Sequence, residues 1–304
     1  MDLMELLNGM PGAIAQGLIW GIMAIGVFLT YKVLDLADLT VDGSMATGGA
    51  VCVMLMLNGA PLWLAMLCAV LVGALTGLAT GLFHTAMGIP AILSGILTQL
   101  SLYSINLWIM EFKSNRGINV NKYNLLVSAR HVKELSFRNP IFVTLIILAV
   151  LIAVLYWFFG TEKGCALRAT GANEAMARAQ GISTNRAKVL GLMISNGIVA
   201  LASALFSQYQ GSVDVNMGRG AIVIGLAAVI ISEVVFGRLF QNFALKLIGV
   251  AIGAVIYYIV LQIVLWLGLN TNMLKLLSAM VVALFLAVPF WKEKLAGKAG
   301  KTHA

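Results

Sequence analysis

Residues 164–189 read GCALRATGANEAMARAQGISTNRAKV, a small basic stretch punctuated by glycine and set between two runs, 139–160 and 190–210, apolar enough to cross a membrane. Gly171 and Gly181 bracket ANEAMARAQ. Asn173 suits the N-cap, because its side-chain oxygen can accept from the free N–H groups of a first turn, and Glu174 suits the positive helix end. Arg178 suits the negative end and Gly181 the stop. The pattern predicts a helix of about two turns over 172–180, too short to be stable alone, so it must rest on something. It is either an interfacial helix covering a bundle or a docking helix that fits a groove on a soluble partner.

The rest of the chain fixes the setting. Of 304 residues, 61% are hydrophobic and 11% charged, with a mean hydropathy of +0.96, whereas soluble domains are roughly 45–50% apolar. The composition specifies an integral membrane protein. The net charge of +8, from 20 Lys+Arg against 12 Asp+Glu, fits basic cytoplasmic loops and contact with anionic lipid, and is not a sign of nucleic-acid binding. Cys52, Cys68 and Cys165 share no metal-ligand or redox spacing, so neither a disulfide nor a metal is expected. Asp2 and Glu5 but no Lys or Arg precede Lys32. The first apolar run therefore lacks the basic start of a signal peptide and is expected to stay as a membrane segment.

A bilayer core of about 30 Å takes ~20 helical residues to cross. Residues 43–110 hold no Asp, Glu, Lys or Arg, which is too long for one span. NGAP at 58–61 and MGIP at 87–90 divide the run into three, since Gly and Pro end or kink helices. The first piece, 43–57, is short and rich in Gly and Ala, as suits a half-helix or a tightly packed inner helix. With 12–31, 139–160, 190–210, 220–236, 247–268 and 273–291 there are nine expected segments in one all-α membrane domain, 1–304. If the tail 292–304 is cytoplasmic, the inside loops hold 12 Lys+Arg and the outside 8, a modest preference for that orientation because the 112–138 loop is itself basic.

The residues also carry a resemblance. The stretch from Gly164 through "KVLGLMISNGIVALASALFSQYQG" resembles the cytoplasmic loop and following helix of ABC importer permeases of the branched-chain amino acid and ribose class, where a GxNExxAR core and a GIxxN exit recur. LDLADLTVDGSMATGGAV (34–51), GLFHTAMGIPAILSGILTQLSLYSINLWIM (81–110) and QYQGSVDVNMGRGAIVIGLAAVIISEVVFG (208–237) are similar to the tryptophan/tyrosine-type, otherwise unassigned, subgroup of that class, so the likeness spans nearly the whole chain. The resemblance implies a permease dimer with an identical second copy, a cytoplasmic ABC ATPase dimer that binds ATP and Mg, an external substrate-binding protein, often a lipoprotein, and a bacterial inner membrane. It implies that 161–189 is the coupling loop and that Gly171, Asn173, Glu174, Ala177, Arg178 and Gly181 belong to the helix that enters the ATPase. The chain carries no GxxxxGK[ST], so it is expected to bind no ATP by that route, to need no cofactor of its own and to catalyse nothing.

Candidate path residues follow from the polar groups among the spans. LDLADLTVDGS puts Asp35, Asp38 and Asp42 at the junction of two apolar segments. Either Asp42 or Thr40 caps a helix while Asp35 and Asp38 are solvated at a border, or a broken helix lies beside a translocation path, as helix ends do in transporters. The resemblance favours the second for Thr40, Asp42 and Ser44. Gln208, Gln210, Asp214, Asn216 and Arg219 are a polar rim or an outer gate, and Arg219 stands where the family pattern leads one to expect a small or apolar residue. Asn106 and Gln99 read as interhelical glue or path-lining groups. Glu233 reads as the most membrane-embedded acid, either in a structural ion pair with Arg238 near the cytoplasmic face or with a substrate or proton role. The 27-residue loop 112–138, with six cations, is expected on the outer face against a binding protein. The function expected is ATP-driven import of a small, amino-acid-like solute. An ion- or proton-coupled secondary transporter is the rival, opposed by the scarcity of deep acids, and a membrane-embedded enzyme has no nucleophile-base or HExxH-like cluster to stand on.

Overall fold

A computed structural model of the chain describes residues 3–120, 122–123, 125–132, 139–237 and 239–267, with 276, 279–280, 282–284 and 287 beyond them. Ten α-helices form among these residues. They are α1 Leu3–Phe28, α2 Thr40–Leu57, α3 Leu62–Thr85, α4 Ala91–Ile109, α5 Pro140–Gly160, α6 Glu162–Ala172, α7 Glu174–Ala179, α8 Thr184–Gln210, α9 Ala221–Phe236 and α10 Phe243–Trp266. Seven are long and apolar enough to cross a membrane and α9 is a shorter apolar helix. The segment expected at 273–291 and the tail at 292–304 fall largely or wholly outside the described residues.

Pro61, Pro90 and Pro140 mark three helix starts, where a missing N–H costs nothing. The sequence reading began the helix after the coupling loop at 190. The structure starts α8 at Thr184, because the polar TNRAK stretch is a helical stalk beneath the apolar part.

α1, α2 and α8 are the inner helices. The glycines of α2 and α3 let their backbones approach α8 closely, the means by which helices associate where lipid supplies no hydrophobic drive. A Cβ at Gly48 would sit 2.6 Å from the Ala200 Cα, and one at Gly77 2.9 Å from the Met193 Cα. The expected inner helix at 43–57 is thus a packed one. Gly48→Val is expected to cost about 1–3 kcal/mol, read as lost monodisperse protein on detergent size exclusion.

Two ends of the bundle can be told apart. At one, α6 and α7 lie beneath α8. At the other, β1 (Asn115–Gly117) pairs antiparallel with β2 (Ser212–Asp214), Arg116 opposite Val213, so the loop after α4 is stitched to the end of α8. α1 runs from the β1–β2 end, where the Tyr209 hydroxyl donates to the Gly12 carbonyl, to the α6–α7 end, where Gly171 packs on Val33.

Candidate functional site

The break between α1 and α2 is built from LDLADL. α1 widens into a π-turn over Leu29–Val33, and Asp35 then takes φ 55°, a left-handed conformation that Asp tolerates better than most residues. The chain reverses there and re-enters the bundle. Asp35 stays exposed, but Asp38 is 3% exposed, which corrects its reading as a solvated border residue. Its Oδ1 accepts from the Thr40 N–H (2.9 Å) and its Oδ2 from Asn196 Nδ2 (2.7 Å). Asn196 Oδ1 accepts from Ser44 Oγ (2.6 Å), and Ser44 lies 2.7 Å from Thr76 Oγ1. Thr40 and Thr80 hydroxyls meet at 2.6 Å, and Thr80 donates to Thr98 at 2.8 Å. A single polar network therefore joins the break, α2, α3, α4 and α8. An unpaired polar group buried in such a place costs several kcal/mol, and here each member has a partner.

A second break lies before α9. Val213 packs on Gly49 and Gly218 on the Asp42 carbonyl, so 211–220 descends along α2 into the bundle and α9 starts inside it. Its 16 residues span about 24 Å, short of the ~30 Å core. The exposed N–H groups of that start are met from another helix: Asp42 Oδ2 accepts from Gly220 N (2.9 Å) and Oδ1 from Ile222 N (3.0 Å). Asp42 caps α9, not α2; Asp38 meets the first N–H of α2. Beside this start is a cavity of about 190 Å³ lined by Asp42, Gly43, Gln99, Tyr103, Asn106, Val215 and Arg219 among others.

The α6–α7 end resolves the 161–189 loop into two helices where one was expected. Asn173 caps α7, its Oδ1 accepting from Met176 N at 3.0 Å, and Gly181 ends the turn with φ 79°. Glu174 receives Lys188 Nζ at 2.8 Å and Arg178 Nη2 at 2.5 Å, and Arg178 Nε donates to Thr184 Oγ1 at 2.9 Å. These contacts clamp α7 to α8. The Lys188 ammonium is the main influence holding the Glu174 carboxyl at about 2, below its ordinary 4.5, with Arg178 and Thr184 adding to it against some desolvation. Ala177 is buried under the turn, whereas Met176 is 66% exposed at its tip. A Cβ at Gly171 would overlap the Val33 carbonyl, so α6 can lie this close to the end of α1 only because the residue is glycine.

Glu233 was expected to be the deepest acid, paired with Arg238. The structure places its side chain 44% exposed in the last turn of α9, in an ion pair of 2.7 Å with Lys32, while position 238 lies outside the described residues. The apolar residues around Glu233 suggested depth, but the helix ends there. Among the described residues the most buried acid is Asp38. Because both partners of the Lys32–Glu233 pair are half-exposed, Lys32→Gln is expected to change stability by less than about 1 kcal/mol, read as a denaturation midpoint close to that of the parent.

Of the candidate path residues, the structure brings Asp42 and Asn106 together at the 190 Å³ cavity, with Arg219 and Gln99. Thr40 and Ser44 are instead enclosed in the polar network. Gln208 is buried, its Oε1 accepting from Leu126 N at 3.2 Å and its Nε2 facing Cys52 Sγ. Asp214 Oδ1 accepts from Asn216 N at 2.7 Å, and Gln210 is exposed beside them. Sequence reasoning missed Asn196, Thr76, Thr80 and Thr98. The signal was the regular placing of hydroxyls at Thr76 and Thr80 along one face of an otherwise apolar helix.

Comparison with known proteins gives concordant results. The family described as "Branched-chain amino acid transport system / permease component" matches residues 10–288. A tyrosine transport system permease protein of Clostridioides difficile (strain R20291) is 37% identical over 281 residues, covering 92% of this chain and 91% of that protein. The ribose import permease protein RbsC of Haemophilus influenzae is 25% identical over 238 residues, covering 77% and 70%. Among solved structures, PsaBC from Streptococcus pneumoniae in complex with Fab matches with a TM-score of 0.54 at 16% identity, covering 95% of each chain, a likeness of fold.

Proposed function

The chain belongs to the branched-chain amino acid transport permease family and is the multi-pass membrane permease component of an ABC transport system; from that premise we propose how it works. Two copies enclose the path, α7 of each docks in a cytoplasmic ATPase that binds ATP and Mg, and an external binding protein delivers a small amino acid at the β1–β2 end. The observation that carries this is α7. A helix of six residues has no stability of its own, yet Glu174, through Lys188 and Thr184, and Arg178, through Thr184, fix it to α8 and leave Met176 exposed at its tip. A rigid knob rooted in an inner helix is what transmits movement from a soluble partner to a bundle. Asn173, Gly171 and Gly181 shape it, Ala177 seats it, and Arg178 completes the clamp.

The path is argued from α4. Gln99, Ser101, Tyr103, Ser104 and Asn106 lie within eight residues of it, and Ser101, Tyr103 and Ser104 are exposed on the single chain. The exposed side of α4 mixes these polar groups with Leu97, Leu100, Ile105 and Trp108, as suits a helix shared between a partner helix and a path, whereas the exposed residues of α5 are almost all apolar. α4 therefore faces a watery axis shared with the second copy, into which the cavity beside α9 opens. ATP binding would draw the two α7 helices together and open this axis toward the binding protein, and hydrolysis would reset it.

The test is a gentle detergent purification of the tagged chain from its host, followed by mass spectrometry. The expected result is a stoichiometric ABC ATPase with a second copy of the permease. A chain that emerges alone from several detergents and from nanodiscs would overturn the docking role of α7.

A further inference from the structure

We propose that Arg219 and Asn106 form a recognition site for a zwitterionic solute in the cavity beside the start of α9, Arg219 taking its carboxylate and Asn106 its ammonium. The inference rests on the permease reading above and names which residues tell an amino acid from a neutral sugar on the path. Arg219 is exposed to the cavity, and among the described residues no hydrogen bond or ion pair engages its guanidinium. The acid in the lining, Asp42, accepts from the Gly220 and Ile222 N–H groups, one at each oxygen, and is not paired with Arg219. Asn106, on the α4 wall of the same cavity, is 1% exposed and its Oδ1 has no partner. Leaving such a group unmet costs about 1–3 kcal/mol, a cost that a polar solute in the cavity would remove.

The chemistry that satisfies both groups is narrow. A guanidinium presents its donors in a planar fork that matches a carboxylate. Asn106 offers an acceptor or, with its amide turned, a donor, and Gln99 and Tyr103 extend the polar wall on the same helix. A zwitterionic solute can set its carboxylate on Arg219 and its ammonium toward Asn106 and the flank of Asp42. A neutral sugar would leave the guanidinium charge uncompensated. The cavity thus favours a small amino acid, and the stretch 211–220, packed along α2 through Val213 and Gly218, is what brings Arg219 to it.

The experiment uses the complete transporter, with its ATPase and binding protein, in proteoliposomes with ATP. Initial uptake of labelled L-tyrosine, L-leucine and D-ribose is measured at saturating binding protein. The wild type is expected to move an amino acid. For that solute Arg219→Gln is expected to lower the maximal rate about ten- to hundredfold, the equivalent of one charge-assisted hydrogen-bonded pair, while ATP hydrolysis stays responsive to the binding protein. Asn106→Leu, a change of similar size, is expected to lower it about tenfold and decides the matter alone should Arg219→Gln fail to assemble. Wild-type rates in both variants would overturn the site. Transport of D-ribose and neither amino acid would overturn the carboxylate class and leave the permease reading standing. ATP-independent uptake would overturn that reading itself.

Discussion

Asn196→Leu is expected to destabilise the protein by about 3 kcal/mol, seen as a lower thermal midpoint in detergent and as a shorter lifetime of the folded chain. Asn196 donates to Asp38 Oδ2 at 2.7 Å and accepts from Ser44 at 2.6 Å. Removing it takes one of two donors from a carboxylate that is 3% exposed, leaving the Thr40 N–H, and leaves Ser44 with Thr76 alone. The sign of a companion experiment is equally definite. Asp38→Asn combined with Asn196→Leu should recover part of the loss, because no charge is then left behind, whereas two independent effects would add. An Asn196→Leu protein with the parent midpoint would mean that Asp38 finds other donors and that the network does not hold the break, α2 and α8 together.

Glu174→Ala is expected to uncouple the transporter while leaving the bundle folded. Glu174 is the only group that holds Arg178, Thr184 and Lys188 at one point among the described residues. Without it α7 is a six-residue helix that frays on its own. The stimulation of ATP hydrolysis by loaded binding protein should fall at least about tenfold, as for loss of a hot-spot contact of ~1.4 kcal/mol or more, with solubility and thermal midpoint close to the parent. Lys188→Met should give a milder version of the same phenotype, since Arg178 and Thr184 remain. The pH dependence has a definite sign. Because the carboxyl is held at about 2 in the folded chain against an ordinary 4.5, the clamp contributes fully above about 4.5 and is lost only as pH falls toward 2. Coupling should therefore show no titration from this residue between about pH 5 and 8, and a midpoint in that window would assign the control of coupling to another group.

The difference between what could and could not be read from the sequence follows the range of the interactions. Helix starts at Pro61, Pro90 and Pro140 and the stop at Gly181 are local steric effects, so single residues declare them. The packed character of α2 was legible in its glycines. The roles of Asp38 and Asp42 were not, because their partners lie 158 and 180 residues away at Asn196 and Ile222, and an aspartate near a helix start invites a local reading. α9 did carry a clue. An apolar helix too short for a bilayer, preceded by Gly220 and lacking an Asp, Asn, Ser or Thr cap, needs acceptors from elsewhere in the fold. Glu233 shows the opposite failure, since apolar neighbours in sequence say nothing about where a helix ends in depth.

The central claim is that this chain moves its solute only through a partner ATPase engaged by α7. The measurement closest to it is uptake of labelled L-tyrosine and L-leucine into proteoliposomes, comparing the chain alone with the chain plus its ATPase and binding protein, each with and without ATP and with and without an imposed proton gradient. The expected result is uptake in the complete system with ATP, unchanged when the gradient is collapsed and lost in Glu174→Ala. Uptake by the chain alone, driven by the proton gradient and indifferent to ATP, would contradict the claim.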